Sequence, residues 1–100
     1  MKPNKPISQR QQAAAEKDLA SAIASMNNPS NILLFLKDLC TPAELQALVD
    51  RWQVVKMLRQ GLAYREINKR TGVSVTTVGR VARYLADGHG GYLRALEKQL

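Results

Sequence analysis

The sequence has few residues that could crosslink the chain or bind a metal, and it has no long apolar segment. It contains one cysteine, Cys40, so no disulfide can form within the chain, and its cysteine and histidine show no metal-ligand spacing. No apolar run is long enough to cross a membrane, and the basic start is followed by Gln-Gln rather than by the apolar stretch of a secretory signal. We therefore expect a protein of the reducing cytoplasm, with no bound metal and no membrane partner.

Aromatic residues are also scarce, at five in a chain of 100 residues, although 45% of the residues are hydrophobic. A small all-α domain with so few large side chains often completes its core with a second copy of itself. Residues 1–8 hold two prolines and little apolar material, which predicts a flexible basic arm. Residues 9–100 are predicted to form a single helical domain.

Acidic residues are nearly absent from one segment of the chain. Between Arg51 and Leu85 there are eight basic residues and one acidic residue, Glu66, so the formal net charge of this segment is 8 − 1 = +7. The seven remaining bases and seven remaining acids cancel, so the whole formal charge of +7 lies in this segment. A charge distribution of this kind indicates a polyanionic partner.

Apolar spacing predicts six helices and no strand. Ser30 is expected to cap the second helix, and Thr41 and Glu44 to form a capping box at the start of the third. The second helix is apolar nearly all round, so we expect it to be buried on more than one side. The predicted helices cover residues 9–26, 31–39, 42–60, 63–70, 75–85 and 92–100.

Residues 63–85 have the pattern of a helix-turn-helix. Ile67 faces inward, Gly72 supplies the positive φ of a sharp turn, and Ser74 caps the second helix. That helix opens with small residues that would let its N-terminus enter the major groove of double-stranded DNA. Basic residues of the first helix would hold phosphates, and the start of the second would face the bases. The residues predicted to contact DNA are Arg65, Asn68, Lys69, Arg70, Ser74, Val75, Thr76, Thr77, Gly79, Arg80 and Arg83.

Other interpretations of the same pattern remain open. The basic face could belong to a small helical adaptor that binds an acidic protein, or to an RNA-binding or sigma-like helper without operator specificity. An enzyme is not expected, because no nucleophile and base stand in a recognisable arrangement. Gly88, Gly90 and Gly91 lack the surroundings of a phosphate loop and predict a turn, with His89 exposed in it.

Three stretches of the sequence resemble the Trp repressor family, and within it the Trp-repressor-related proteins of the YerC/YecD type. The resemblance rests on residues 39–51, which begin Leu-Cys-Thr-Pro-Ala-Glu-Leu, on residues 72–85 and on Gly90-Gly-Tyr92. It implies six helices per chain and an intertwined homodimer. It also implies that each subunit's helix-turn-helix reads half of a near-palindromic operator and that the protein is a repressor.

The same resemblance locates a ligand site. In tryptophan-sensing members two arginines flank the corepressor, which here match Arg51 and Arg80, and Thr41 matches a threonine at the mouth of the pocket. Val81 stands where the family has glycine, and Tyr84 where it has the serine that binds the amino group of the ligand. Both changes fill space, so we expect no cofactor and operator binding without L-tryptophan. The alternative is a tryptophan-responsive repressor with an altered pocket.

Overall fold

The computed structural model describes residues 7–99 and consists of helices joined by short turns. It confirms the predicted all-α fold, since these residues form six helices and no strand. The helices are α1 (Gln9–Met26), α2 (Pro29–Leu39), α3 (Pro42–Arg59), α4 (Tyr64–Thr71), α5 (Val75–Asp87) and α6 (Gly91–Gln99). No helix among the described residues combines the length and apolar character that a membrane crossing requires.

The chain divides into two compact units, one ending at Thr41 and the other starting at Pro42. The prediction of a single domain over residues 9–100 therefore stays a prediction. Residues 1–6 of the predicted flexible arm lie outside the described residues. The end of that arm is described, and there Ser8 caps α1: its hydroxyl accepts from the Gln11 backbone N–H at 3.1 Å, and Gln11 Oε1 accepts from the Ser8 N–H at 2.9 Å.

In the first unit α1 and α2 pack against each other. The cap of α2 is Asn28, so the prediction that Ser30 caps this helix is wrong. The Asn28 side-chain oxygen accepts from the backbone N–H of Ser30 at 2.8 Å and of Asn31 at 3.2 Å. The reason is Pro29, whose fixed φ suits the first helical position and whose missing N–H costs nothing there, so the helix begins two residues earlier than predicted.

The apolar surface of α2 is left open by this chain. None of its residues is buried, and Leu33, Leu34 and Leu39 are 44%, 61% and 52% exposed. The expectation that α2 is buried on more than one side is therefore wrong for a single chain. A helix with this composition exposes more apolar surface than an isolated subunit in water ordinarily does.

The second unit holds the buried core. Helix α5 packs against α3 and α4, which also pack against each other, and α6 packs against α5. Val75, at the start of α5, is 45% exposed, and the part of α5 that lies in the core begins about one turn later, at Val78. The buried side chains are Val54, Val55, Ile67, Val78, Val81 and Leu96.

Candidate nucleic-acid interface

The turn between α4 and α5 has the backbone conformation that the sequence predicts. Gly72 has a φ of 78°, in the left-handed region that favours glycine, and its N–H donates to the Asn68 carbonyl at 2.8 Å. Ser74 caps α5 by accepting from the Thr77 backbone N–H at 3.1 Å. Both predictions for this turn are confirmed, and they fix the angle at which α5 leaves α4.

Two side chains close the same turn in a way that sequence reasoning missed. Asn68 donates from its amide nitrogen to the Val73 carbonyl at 2.8 Å. Thr71 donates its hydroxyl to the Ile67 carbonyl at 2.7 Å and accepts from the Val73 N–H at 3.0 Å. Asn68 therefore holds the turn, and its predicted contact with DNA stays a prediction.

The cations of α4 lie at the surface beside the start of α5. Arg65, Lys69 and Arg70 are all exposed. Arg65 and Lys69 are four residues apart, so they share one face of the helix. Together with Val75 on α5 they help to line a groove of about 430 Å³. This groove brings residues of the two helices together, as the motif predicts.

Arg70 differs from the other two cations because it already has a partner. Its Nε donates to Glu66 Oε2 at 2.8 Å, one turn back along α4, with both side chains substantially exposed. Glu66 is the one acidic residue in the segment 51–85, which also contains eight basic residues. An exposed pair of this type contributes on the order of 0.2–1 kcal/mol, so it can open, but while closed it presents no net charge. The i, i+4 spacing was the signal for it.

The outward face of α5 carries most of the predicted reading residues. Ser74, Val75, Thr76, Arg80 and Arg83 are exposed. The two others are half-buried. The Thr77 hydroxyl accepts from the Ser74 hydroxyl at 3.0 Å, and Gly79 lies beside the ring of Tyr64.

Tyr64 is a surface residue of this interface that the sequence analysis did not single out. It begins α4 and is 42% exposed, and its Cε2 would lie 3.7 Å from a Cβ placed on Gly79. Its ring therefore lies beside α5 at Gly79.

Tyr84 lies on α5 itself, further along the helix. The guanidinium carbon of Arg80 lies 5.8 Å from the centroid of the Tyr84 ring, which is 44% exposed. At the C-terminal end of α5, Gly88 lies so close that a Cβ there would overlap the Tyr84 carbonyl oxygen and approach the ring at 3.0 Å. The three residues follow one another at four-residue intervals, which places them on one side of the helix.

The residues matched to the ligand site lie in different surroundings. Val81 is 1% exposed and is part of the core, whereas Arg51 is half-buried and Arg80 is exposed. Thr41 ends the first unit and is exposed. Among residues 7–99 no group of three or more histidine, cysteine or acidic side chains could hold a metal ion.

Comparison with known proteins gives consistent results. A family model described as Trp repressor protein matches residues 14–100. An uncharacterized protein, YerC, from Bacillus subtilis (strain 168) is 39% identical over 80 residues, which are 80% of this chain and 77% of that protein. The crystal structure of a TrpR-like protein from Eubacterium eligens is similar at a TM-score of 0.82 and 35% identity, covering 92% of this chain and 95% of that one. A structure described as a putative Trp repressor from Staphylococcus aureus has a TM-score of 0.81 and 36% identity, over 93% and 95% of the two chains.

Proposed function

This chain belongs to the Trp repressor family, and from that premise we propose that it is a homodimeric repressor that binds a near-palindromic operator in double-stranded DNA. The family supports the general role of a DNA-binding transcription regulator. The observation that carries the proposal is the helix-turn-helix surface, where exposed cations of α4 stand beside the exposed start of α5. Such a surface suits phosphates with its cations and base edges with the start of its second helix. The reducing cytoplasm is the proposed compartment.

The specific contacts divide into two kinds. We assign Arg65 and Lys69 to phosphates, because their ammonium and guanidinium groups are exposed and lie on one side of α4. We assign Val75 and Thr76 to the bases, because they are exposed in the first turn of α5. Their methyl groups suit thymine methyls, and the Thr76 hydroxyl can bond a base edge directly or through water.

Replacing Lys69 and Thr76 separately with alanine should have different effects. Lys69→Ala should weaken binding to all DNA sequences alike and reduce the salt dependence by one phosphate contact per subunit. Thr76→Ala should instead relax sequence preference, by roughly 1–3 kcal/mol where a good base contact is lost. The measurement is selection of bound duplexes from random DNA, followed by titration of the selected site and of a scrambled one.

The opposite pattern, in which Lys69→Ala changes the selected sequence and Thr76→Ala does not, would show that the helices are assigned the wrong roles. Equal binding to selected and scrambled DNA would instead favour the RNA-binding or sigma-like alternative. An adaptor for an acidic protein would bind neither duplex with steep salt dependence.

We propose that a second copy of the chain covers the open face of α2. Leucines of α2 are exposed although the helix carries few polar residues, and Leu19 of α1 is 42% exposed as well. Burying such apolar surface contributes about 25 cal/mol for each square ångström removed from water. The intertwined arrangement of N-terminal helices implied by the family would use this surface.

If the protein is a dimer, its unfolding midpoint should rise with protein concentration, because association stabilises the folded chains by mass action. Leu34→Glu should convert it to a monomer by placing an unpaired charge in the interface. Sedimentation of both proteins at micromolar concentration checks this. Lys37→Glu, which places the same charge at an already exposed polar position of α2, is the matched control. A folded, monomeric wild-type protein would refute the dimer.

Operator binding without L-tryptophan is the third part of the proposal. Its support is Val81, which fills part of the core at the position where sensing relatives have glycine. Inserting a ligand beside a packed branched side chain costs on the order of 1–3 kcal/mol. A ligand ammonium buried without its hydrogen-bond partner carries a further desolvation cost.

Adding L-tryptophan should therefore leave operator affinity unchanged. The measurement is anisotropy of a labelled operator duplex with and without the amino acid, together with calorimetry of tryptophan on the free protein. Heat of binding in the micromolar range, or an affinity that rises with tryptophan, would favour the tryptophan-responsive alternative.

A further inference from the structure

Near the exposed end of α5 the side chain of Arg80 stacks on the ring of Tyr84, and Gly88 follows one turn later. Arg80, Tyr84 and Gly88 follow at intervals of four residues, with the Arg80 guanidinium over the Tyr84 ring at 5.8 Å from its centroid. The distance is within the roughly 6 Å over which a ring face attracts a cation. The guanidinium of Arg80 therefore lies over a ring that is one turn further along the same helix.

Gly88 lies next to the Tyr84 ring at the end of the helix. It ends α5, and its N–H donates to the Tyr84 carbonyl at 2.9 Å. A side chain at this position would overlap that carbonyl oxygen and would approach Cδ1 of the ring at 3.0 Å. The absence of a Cβ therefore leaves the room in which the Tyr84 ring lies.

The Tyr84 ring lies at the surface and not in the core. Tyr84 is 44% exposed, and besides the stack it borders an open cleft of about 340 Å³ with His89, Gly90, Gly91 and Tyr92. Tyr84 is not among the side chains that pack against the core, whereas its ring lies under the cation of Arg80.

Arg80 can gain from such a contact because its side chain is exposed. Among residues 7–99 it makes no ion pair, in contrast to Arg70, which Glu66 holds at 2.8 Å. A free arginine side chain loses much rotamer freedom when it binds an anion, so an arginine held in advance binds at a lower entropy cost. Stacking on an aromatic face leaves the guanidinium edge free to donate to a phosphate.

We propose that Tyr84 is a positioning residue, which holds Arg80 extended on the exposed face of α5 so that its guanidinium binds a phosphate of the DNA backbone. This rests on the DNA-binding function proposed above. The Tyr84 ring thus acts on another side chain of the same helix, Arg80, and does not itself contact the DNA. An exposed cation–π contact of this kind corresponds to about a two- to fivefold change in affinity.

The test is a double-mutant cycle on one selected operator duplex. The proteins are wild type, Tyr84→Leu, Arg80→Ala and the double variant, with Tyr84→Phe as the control that keeps the ring and loses the hydroxyl. Tyr84→Leu should weaken binding about two- to fivefold, Tyr84→Phe should not, and Tyr84→Leu should have no effect once Arg80 is alanine. Thermal unfolding midpoints of the variants separate positioning from folding.

A second measurement needs no DNA. Protons on the Arg80 side chain should be shifted upfield by the ring current of the aromatic side chain in the wild type and in Tyr84→Phe. The shift should vanish in Tyr84→Leu. Absence of the shift in the wild type would overturn the proposal, even if Tyr84→Leu did not fold.

Lys69→Ala separates the outcomes for the two proposals. If Lys69→Ala weakens DNA binding while the cycle shows no coupling between positions 80 and 84, positioning by Tyr84 is refuted and the DNA-binding function stands. If the wild type binds no DNA, both are refuted. Coupling that is matched by an equal loss in Tyr84→Phe would assign the effect to the hydroxyl and would also overturn the proposal.

Discussion

Ile67→Ala is expected to lower the free energy of unfolding of the second unit by about 2–5 kcal/mol, because it leaves a cavity in a closely packed core. Ile67 is 0% exposed and is the buried residue that α4 contributes to this core. Its neighbours in the cluster, Val78 and Val81, lie on α5. Total stabilities of small domains are about 5–15 kcal/mol, so a loss of this size removes a large share.

The measurement is denaturant unfolding followed by circular dichroism at fixed protein concentration. Leu93→Ala on α6, where the leucine is 48% exposed, is the matched control and should change stability by less than about 1 kcal/mol. Operator binding by Ile67→Ala should fall together with the folded fraction, since the core sets the angle between the two helices of the motif. A loss below 1 kcal/mol for Ile67→Ala would show that α4 is not anchored as described.

Raising salt is expected to weaken operator binding about a thousandfold between 50 and 200 mM, because each protein cation that neutralises a phosphate releases a counterion. We count Arg65, Lys69 and Arg80 as phosphate contacts, which makes six in a dimer. The slope of log affinity against log salt is about −0.9 per contact, so it should be about −5.4. Arg70 is left out because Glu66 already neutralises it at 2.8 Å.

Glu66→Gln tests whether the ion pair with Glu66 keeps Arg70 from contacting a phosphate. The amide removes the acid of the pair, which leaves Arg70 free to neutralise one more phosphate in each subunit. Eight contacts in a dimer predict a slope of about −7.2 and roughly a ten-thousandfold loss over the same salt range. Arg70→Ala is the control and should leave the wild-type slope nearly unchanged. A wild-type slope already near −7.2 would show that the ion pair opens on DNA.

Much of the fold could be predicted because its signals are local. Gly72 requires a positive φ that glycine adopts at no cost, and Ser74 precedes a helix whose first N–H groups need an acceptor, so the turn was determined by neighbouring residues. The cap of α2 differs from the prediction for an equally local reason, since Pro29 starts the helix and makes Asn28 the capping residue in place of Ser30.

The positive charge of the candidate site could be predicted from the sequence, but the hydrogen bonds between its side chains and backbone could not. The count of bases over residues 51–85 identified the surface, and the exposed positions of Arg65, Lys69 and Thr76 agree with it. Contacts such as the amide of Asn68 on the Val73 carbonyl depend on how the turn closes, which spacing alone does not specify.

The burial of α2 failed as a prediction for a different reason. An apolar helix indicates that something covers it, and composition does not distinguish a cover supplied by the same chain from one supplied by another. Leu34, at 61% exposed, shows that the same chain does not cover this face of α2. The cover that the sequence predicts therefore stays a prediction, and we propose a second copy of the chain as its source.

The carboxylate of Glu66 also bears on how fast an operator can be found in a chromosome. Non-specific affinity depends almost wholly on phosphate neutralisation, and a genome offers about a million to a billion competing sites. If the protein binds DNA as proposed, the pairing of Arg70 with Glu66 should shorten its stay on each wrong site, since one cation fewer is free to bind phosphate. The same pairing should lower the affinity for the operator by the same term, so that discrimination would depend on the proposed base contacts of α5 alone.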